Sequence, residues 1–401
     1  MDKIVVIGAG QAGASLTAKL RALGHTGPIT LIGEENAPPY QRPPLSKKYL
    51  LGEMDLERLY LRPPSFYAEN GIGLLTNATA VAIDRADKVV IAGGHQIAYD
   101  QLALCTGAVP RRLPGAIGGE LAGVHVVRTL RDVDEMAPAF VRGAGVLIVG
   151  GGYIGLEAAA VAAARGMRVT LIEMADRILQ RVASPETSAY FRALHQSHGV
   201  EIREGTGLKH LTGDDHVTGA ILSDGTELAL DVVVTGIGIT PATELAEAAG
   251  LDIDNGIKTD AQGRTADPSI WAAGDCASFP YQGRRIRLES VQNAIDQAEC
   301  VAENMLGADK EYAPVPWFWS DQYDCKLQIA GLNTGYDRLV TRGSGAAVSY
   351  WYYAGDRLLA VDAMNDARAY MIGKRLIEMG KSPDPAVVGD TEADLKPLLR
   401  A

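Results

Sequence analysis

A chain of 401 residues is longer than one ordinary hydrophobic core, so two or three domains are expected. With 47% hydrophobic and 22% charged residues, it reads as a soluble globular protein and not a disordered one. A net charge of -11 argues against nucleic acid as the main partner, because phosphate binding needs a basic footprint.

No window approaches the ~18 to 20 consecutive apolar residues of a membrane span; the richest stretch, Leu156 to Ala164, reads as a buried helix. Met1-Asp2-Lys3 leads straight into apolar residues, so no secretory leader is expected. Cys105, Cys276, Cys300 and Cys325 form no CxxC or CxxxxC pair, and free thiols fit a reducing compartment. The cytoplasm is the expected location.

In chain order, the first strong feature is Ile4-Val5-Val6-Ile7, followed by Gly8-Ala9-Gly10-Gln11-Ala12-Gly13 and an Ala/Leu-rich segment to Leu23. A second apolar run, Ile29 to Ile32, is followed by Gly33 and then Glu34-Glu35. The pattern returns at Val146 to Val149, with Gly150-Gly151-Gly152-Tyr153-Ile154-Gly155, an Ala-rich segment to Arg165, and Arg168 to Ile172 ending at Glu173. Each copy reads as strand, glycine turn and helix. The first glycine allows the tight turn, the second admits a pyrophosphate, and the third lets helix pack on strand. A single GxGxxG is a weak signal, but two copies in the same strand–helix–strand–acid context are a strong one. Glu173 is placed to accept from a ribose 2'-hydroxyl and to repel a 2'-phosphate, which favours NADH over NADPH. Arg177 is the nearest cation that could hold such a phosphate. Glu34 and Glu35 are assigned to the ribose of the first dinucleotide.

Two nucleotide sites in one chain suggest a bound flavin and an exchanging nicotinamide. Leu102 to Ala108 and Val232 to Gly238 each read as an apolar strand ending in a glycine turn, and Thr265 to Asp275 as a further strand ending in Gly-Asp. Together with Pro39 to Lys47, Leu288 to Ala294 and Pro316 to Tyr323, these segments resemble the two-dinucleotide-domain flavoproteins, and within them the ferredoxin reductases of bacterial oxygenase systems. The resemblance spans residue 3 to about 365. It implies FAD contacts at Ala12, Glu34, Arg42, Lys47, Val81, Arg128, Asp275 and Val291. It also implies nicotinamide contacts at Ile154, Glu157, Glu173 and Gly238. Trp317 and Trp319 are expected to face opposite sides of their strand, with Trp319 at the cofactor rings and Trp317 in the core.

The expected fold is α/β: two Rossmann-like dinucleotide-binding domains and a C-terminal α+β domain. The FAD domain is expected at residues 1–111 and 242–316, the NAD domain at 112–241 and the third domain at 317–401. In the third domain, residues 328–332, 347–353 and 357–362 read as strands and 367–379 as a helix. Hydride transfer needs nicotinamide C4 held close to flavin N5 in a dry site with fixed charges. Lys47 is the expected cation near the flavin, paired with Glu157. Related disulfide reductases use a cysteine pair where this chain reads Pro43-Pro44-Leu45-Ser46-Lys47, and a C-terminal histidine, yet the last histidine is His216. Dithiol chemistry is therefore not expected, and no metal ligand set is assigned. The expected acceptor is a 2Fe-2S ferredoxin serving a haem monooxygenase or Rieske-type dioxygenase; Arg284, Arg285 and Arg287 read as a solvated hairpin tip, the commoner fate of such a run, or as a docking cluster. The alternatives are an NADH-sensing flavoprotein like apoptosis-inducing factor, or a reductase for rubredoxin or a small acceptor. A monomer or weak homodimer is expected.

Overall fold

A computed structural model describes residues 2–400 and divides into two compact units. The first comprises the chain up to Gln41, Asp55–Val109 and Ile239–Pro314. The second comprises Arg42–Met54, Pro110–Gly238 and the chain from Val315 onward.

In the first unit, five parallel strands stand in the order Ile270–Ala272, Gln101–Leu104, Ile4–Ile7, Ile29–Ile32, Ile72–Leu75. Alternate residues of Ile4–Ile7 serve opposite cores. Ile4 and Val6 pack with Leu16 and Leu20 of helix Gln11–Ala22 and with Ala298 and Val301 of helix Val291–Met305. Val5 and Ile7 pack with Val90 and Ala92 of a small antiparallel sheet formed by Ala80–Asp84, Val89–Ala92 and His95–Ala98. A strand covered on both faces must be apolar throughout, which is why this stretch shows no polar alternation.

The second unit repeats the arrangement with Glu201–Glu204, Arg168–Glu173, Gly145–Val149, Val232–Thr235 and Val124–Val126, again all parallel. It has its own three-stranded antiparallel sheet, Leu208–Thr212, Gly219–Leu222 and Glu227–Ala229, which buries Leu211 and Leu222 against Leu147 and Val149. The duplication thus extends well beyond the glycine turns.

The same unit holds a five-stranded antiparallel sheet in the order Trp317–Gln322, Cys325–Gly331, Arg357–Met364, Ala347–Ala354, Arg338–Ser344. Helix Ala367–Glu378 lies on it, and Gly373 permits the close approach, since a Cβ there would stand 2.6 Å from Val361 Cγ2. Three of these strands match the expected segments, Trp317–Gln322 is the strand expected to carry the two tryptophans, and Arg338–Ser344 was not expected. Arg338–Ser344 is an edge strand with a polar, largely exposed sequence, and such strands carry little hydrophobic signal. Trp317–Gln322 alternates, but with aromatic and polar residues on the two faces in place of aliphatics.

Asp362 of this sheet is 1% exposed and accepts from the hydroxyls of Tyr352 and Thr187. Burial outweighs these bonds and pushes its carboxyl up to about 6. The folded protein therefore keeps a proton that the unfolded chain releases near the ordinary carboxylate value. Stability from this group is present at low pH and lost as pH rises through about 6, a difference on the order of 2–3 kcal/mol. Asp362→Asn is expected to raise the melting temperature more at pH 8 than at pH 4.5, as read by thermal unfolding at the two pH values.

Candidate functional site

The two glycine turns have nearly the same geometry. Gly8 (φ 110°) and Gly150 (φ 107°) adopt a left-handed conformation that L side chains rarely take, and a Cβ on either would strike a carbonyl, Cys105 O at 2.1 Å or Gly236 O at 2.5 Å. The third glycines, Gly13 and Gly155, would each place a Cβ 2.0 Å from the carbonyl of the first. These four are glycine for the fold itself. The middle ones differ. A Cβ on Gly10 would meet nothing within 4 Å, and on Gly152 only Gly236 O at 4.0 Å. Gly10 and Gly152 are also the N-caps of helices Gln11–Ala22 and Tyr153–Ala164, and neither has a side-chain cap. By contrast Thr129, Ser184, Ser290 and Asp366 cap their helices with side-chain oxygens. Open space above uncapped amides fits a dinucleotide pyrophosphate at each turn.

Around the second turn, both Glu173 oxygens are held by backbone amides, Oε2 by Gly151 N at 2.7 Å and Oε1 by Ala175 N at 2.8 Å. The carboxylate is thereby fixed beside the turn where a ribose is expected. Arg177 is not poised for a 2'-phosphate. Its guanidinium donates to the carbonyls of Gln180, Ala183 and Ser184 and to Ser188 Oγ, pinning the following loop. Ile154 is exposed at the start of the helix, and Gly238 (φ 101°) has open space where a Cβ would point.

Around the first turn, Glu34 is exposed, whereas Glu35 accepts from Tyr40 Oη at 2.5 Å. Ala12 is buried, and a Cβ on Gly274 would stand 3.0 Å from its own, so Asp275 follows directly on a segment packed against the glycine helix. Val291 opens the helix whose Ala294 lies on the same segment. The side chain of Val81 is 65% exposed, and its strand follows the Asn77 and Ala78 amides bonded to the Glu35 and Gly33 carbonyls.

In the second unit, Arg42 Nη1 donates to the carbonyl of Arg128 at 2.5 Å, immediately before the capping box of Thr129 and Asp132. Five residues after Arg42, Lys47 Nζ stands 2.6 Å from Glu157 Oε2. Glu157 is 3% exposed. Its Oε2 also accepts from Ser46 Oγ at 2.7 Å, and its Oε1 from Ser320 Oγ at 2.7 Å. A carboxylate buried this deeply is tolerable only when paired and hydrogen-bonded. Ser46 and Ser320 did not stand out in the sequence. The signal for Ser320 is the alternation Phe318, Ser320, Gln322 along one strand face, which sets two small polar groups among apolar neighbours.

The tryptophans require a correction. Residues two apart share a face of a strand, and the rings of Trp317 and Trp319 lie together with centroids 5.6 Å apart. Trp317 packs toward Tyr370 and lies under Lys374 Nζ at 5.0 Å, so it links Trp319 to the C-terminal helix. The arginine cluster is also altered. Arg285 donates to the Thr259 and Ser278 carbonyls, and Arg287 to those of Asn255 and Asp275 while pairing with Glu289. Two of the three arginines therefore brace the backbone of the hairpin and its neighbouring segments.

The two kinds of glycine give a direct contrast. Gly152→Ala is expected to leave the melting temperature of the protein almost unchanged while weakening NAD+ binding about tenfold, read by titration calorimetry. Gly155→Ala, with its Cβ against Gly150 O, is expected to lower the melting temperature by several degrees, read by thermal unfolding.

Comparison with known proteins agrees with this architecture. Residues 2–298 match the family described as pyridine nucleotide-disulphide oxidoreductase, and residues 317–399 match a reductase C-terminal domain. The chain is 42% identical to rhodocoxin reductase of Rhodococcus erythropolis, covering 98% of this chain and 93% of that one. It is also 42% identical to putidaredoxin reductase CamA of Pseudomonas putida, covering 100% and 97%. Among solved structures, the covalent putidaredoxin reductase–putidaredoxin complex superposes with a TM-score of 0.96 at 41% identity, covering 100% of this chain and 98% of that one. With two turns of the same build, an acid after the second, and matches over nearly its whole length, the chain belongs to the pyridine nucleotide-disulphide oxidoreductase family.

Proposed function

We propose that the protein is an NADH-dependent flavoprotein reductase that delivers electrons through FAD to a 2Fe-2S ferredoxin, which in turn feeds a haem monooxygenase or a Rieske-type dioxygenase. The net reaction takes one NADH and two oxidised ferredoxins to NAD+, two reduced ferredoxins and a proton. The observation that carries this reading is the pair of open, uncapped glycine turns in one chain. All four cysteines are buried and none forms a CxxC or CxxxxC pair, which favours direct transfer from flavin to acceptor. FAD, when bound, supplies the conversion from a two-electron donor to a one-electron acceptor.

The remaining work belongs to the chain's own residues. Gly8, Gly10, Ala12 and Gly13, with Glu34, Glu35, Val81, Asp275 and Val291, form the flavin-nucleotide cradle, assigned to a domain of residues 1–111 and 242–316. Arg42, Lys47 and Arg128 also serve the flavin. Gly150, Gly152, Ile154, Gly155, Glu173 and Gly238 hold the nicotinamide dinucleotide on residues 112–241. Glu173 selects NADH, because its carboxylate is fixed by two amides and Arg177 is engaged elsewhere. Lys47 supplies positive charge, Glu157 orients Lys47 and the carboxamide, and Trp319, from the domain at 317–401, covers the rings. Buried free thiols favour a reducing compartment, the cytoplasm; among the described residues no helix is long and apolar enough to cross a membrane.

NADH-driven cytochrome c reduction is expected to rise strongly when one of a panel of 2Fe-2S ferredoxins is added, and to saturate at micromolar concentration. Stimulation by rubredoxin alone would move the acceptor class, and slow flavin bleaching without stimulation would favour a sensor. Lys47→Ala is expected to slow bleaching by NADH in anaerobic rapid mixing by about tenfold or more; an unchanged rate removes Lys47 from the reaction. Glu173→Ala is expected to narrow the preference for NADH over NADPH, measured as the ratio of kcat/KM values.

A further inference from the structure

The inward face of strand Trp317–Gln322 meets the nucleotide-binding half of the second unit at two-residue intervals. Phe318 packs on Tyr153 with ring centroids 4.8 Å apart, Ser320 bonds Glu157, and Gln322 bonds His195 of helix Pro185–Ser197. The last two contacts join into one line. Tyr323 Oη lies 3.1 Å from His195 Nδ1, His195 Nε2 lies 2.7 Å from Gln322 Oε1, and Gln322 Nε2 lies 3.1 Å from Ser320 Oγ. Ser320 Oγ then lies 2.7 Å from Glu157 Oε1. Ser320, Gln322 and His195 are each at most 1% exposed.

Chemistry assigns a direction to every bond in the line. The Glu157 carboxylate, already ion-paired with Lys47, can only accept, so the Ser320 hydroxyl donates to it. Ser320 then takes its second bond as an acceptor, which requires the Gln322 amino group on that side and its carbonyl toward His195. His195 must donate from Nε2. Burial pushes its imidazole down to about 4, so the ring is neutral and Nδ1 accepts from Tyr323. Tyr323 holds this place at a cost. It occupies the hairpin turn after the strand with φ 55°, an unfavourable conformation for a bulky residue, and its ring stacks on His198 at 3.7 Å. The primary amide in the middle rules out proton conduction in the simple sense, since an amide carbonyl and amino group do not exchange protons readily. The line can transmit orientation and polarity only.

We propose that Gln322 and His195 are positioning residues for the NADH reaction: through Ser320 they fix one oxygen of Glu157, so that its other oxygen stays on Lys47. This rests on the reductase reading for its kinetic consequence, but the direction of the line does not.

Two measurements test it. In the 15N-histidine-labelled holoprotein, identified by difference from a His195→Gln variant, His195 is expected to be the neutral Nε2–H tautomer between pH 6 and 8. An Nδ1–H tautomer would reverse the line and overturn the proposal. Kinetically, Gln322→Glu keeps size and the acceptor for His195 but removes the N–H for Ser320. Flavin bleaching at saturating NADH is expected to slow about tenfold. In a Glu157→Gln background the same change is expected to add less than about twofold, because its effect runs through Glu157. Additive effects, or a wild-type rate in Gln322→Glu, overturn it. Should Gln322→Glu not fold, the His195 pair decides: His195→Leu is expected to lose rate and His195→Gln, which retains an N–H donor, to recover it; equal rates refute the proposal. If NADH fails to bleach even the wild-type flavin, the reductase reading falls, while the tautomer still decides the direction of the line.

Discussion

A carboxylate that is 3% exposed must be met by donors on nearly all sides, and Glu157 draws them from separated parts of the chain. Ser46 and Lys47 arrive from a short segment after Arg42, and Ser320 from the first strand of the C-terminal sheet. The glutamate itself projects from helix Tyr153–Ala164, whose other buried side chains are mostly alanine. That composition lets the helix pack tightly under its sheet, and it leaves a single charge to organise everything around it. The same few residues therefore tie the nucleotide helix, the Arg42–Met54 segment and the last sheet into one unit. Arg165 reinforces the join by donating to the Leu50 and Leu51 carbonyls, and Tyr49 by donating to Asp134.

The two halves of the molecule show how one backbone solution serves two purposes. In both turns the outer glycines answer to the fold, since any Cβ would collide with a neighbouring carbonyl. The middle glycine answers to a ligand, because the space beside it is free of protein atoms. The difference between the copies lies one strand further on. After Ile29–Ile32 stands Gly33, where a Cβ would meet Ala9 Cβ at 2.6 Å, so the first copy has its acids displaced to Glu34 and Glu35. After Arg168–Ile172 the acid follows at once, and backbone amides hold Glu173 in place.

Charges that cluster in sequence did not form a free patch. Arg285 and Arg287 face inward to carbonyls because a short hairpin, Ala277–Tyr281 with Arg284–Ile286, leaves backbone acceptors of the neighbouring segments within reach. Arg177, the cation nearest Glu173 in sequence, is likewise used for loop structure. Guanidinium groups with five donors are drawn to unpaired carbonyls, and no local pattern distinguishes that fate from a binding role.

The parallel sheets, the glycine turns and their helices were legible in the sequence because each depends on local rules: apolar runs for doubly covered strands, glycine where φ is positive or space is absent, and an acid at the strand end. The pairing of Lys47 with Glu157 was legible only as an expectation from resemblance, since 110 residues separate them. What the tertiary structure alone decided is the company these residues keep. Ser46, Ser320, Gln322 and His195 are ordinary polar residues until strand and helix packing removes water from them. The two tryptophans share a face because the strand alternates, whatever the ligand requires. Burial and hydrogen-bond direction are properties of assembled surfaces, and they arise only when distant segments close on one another.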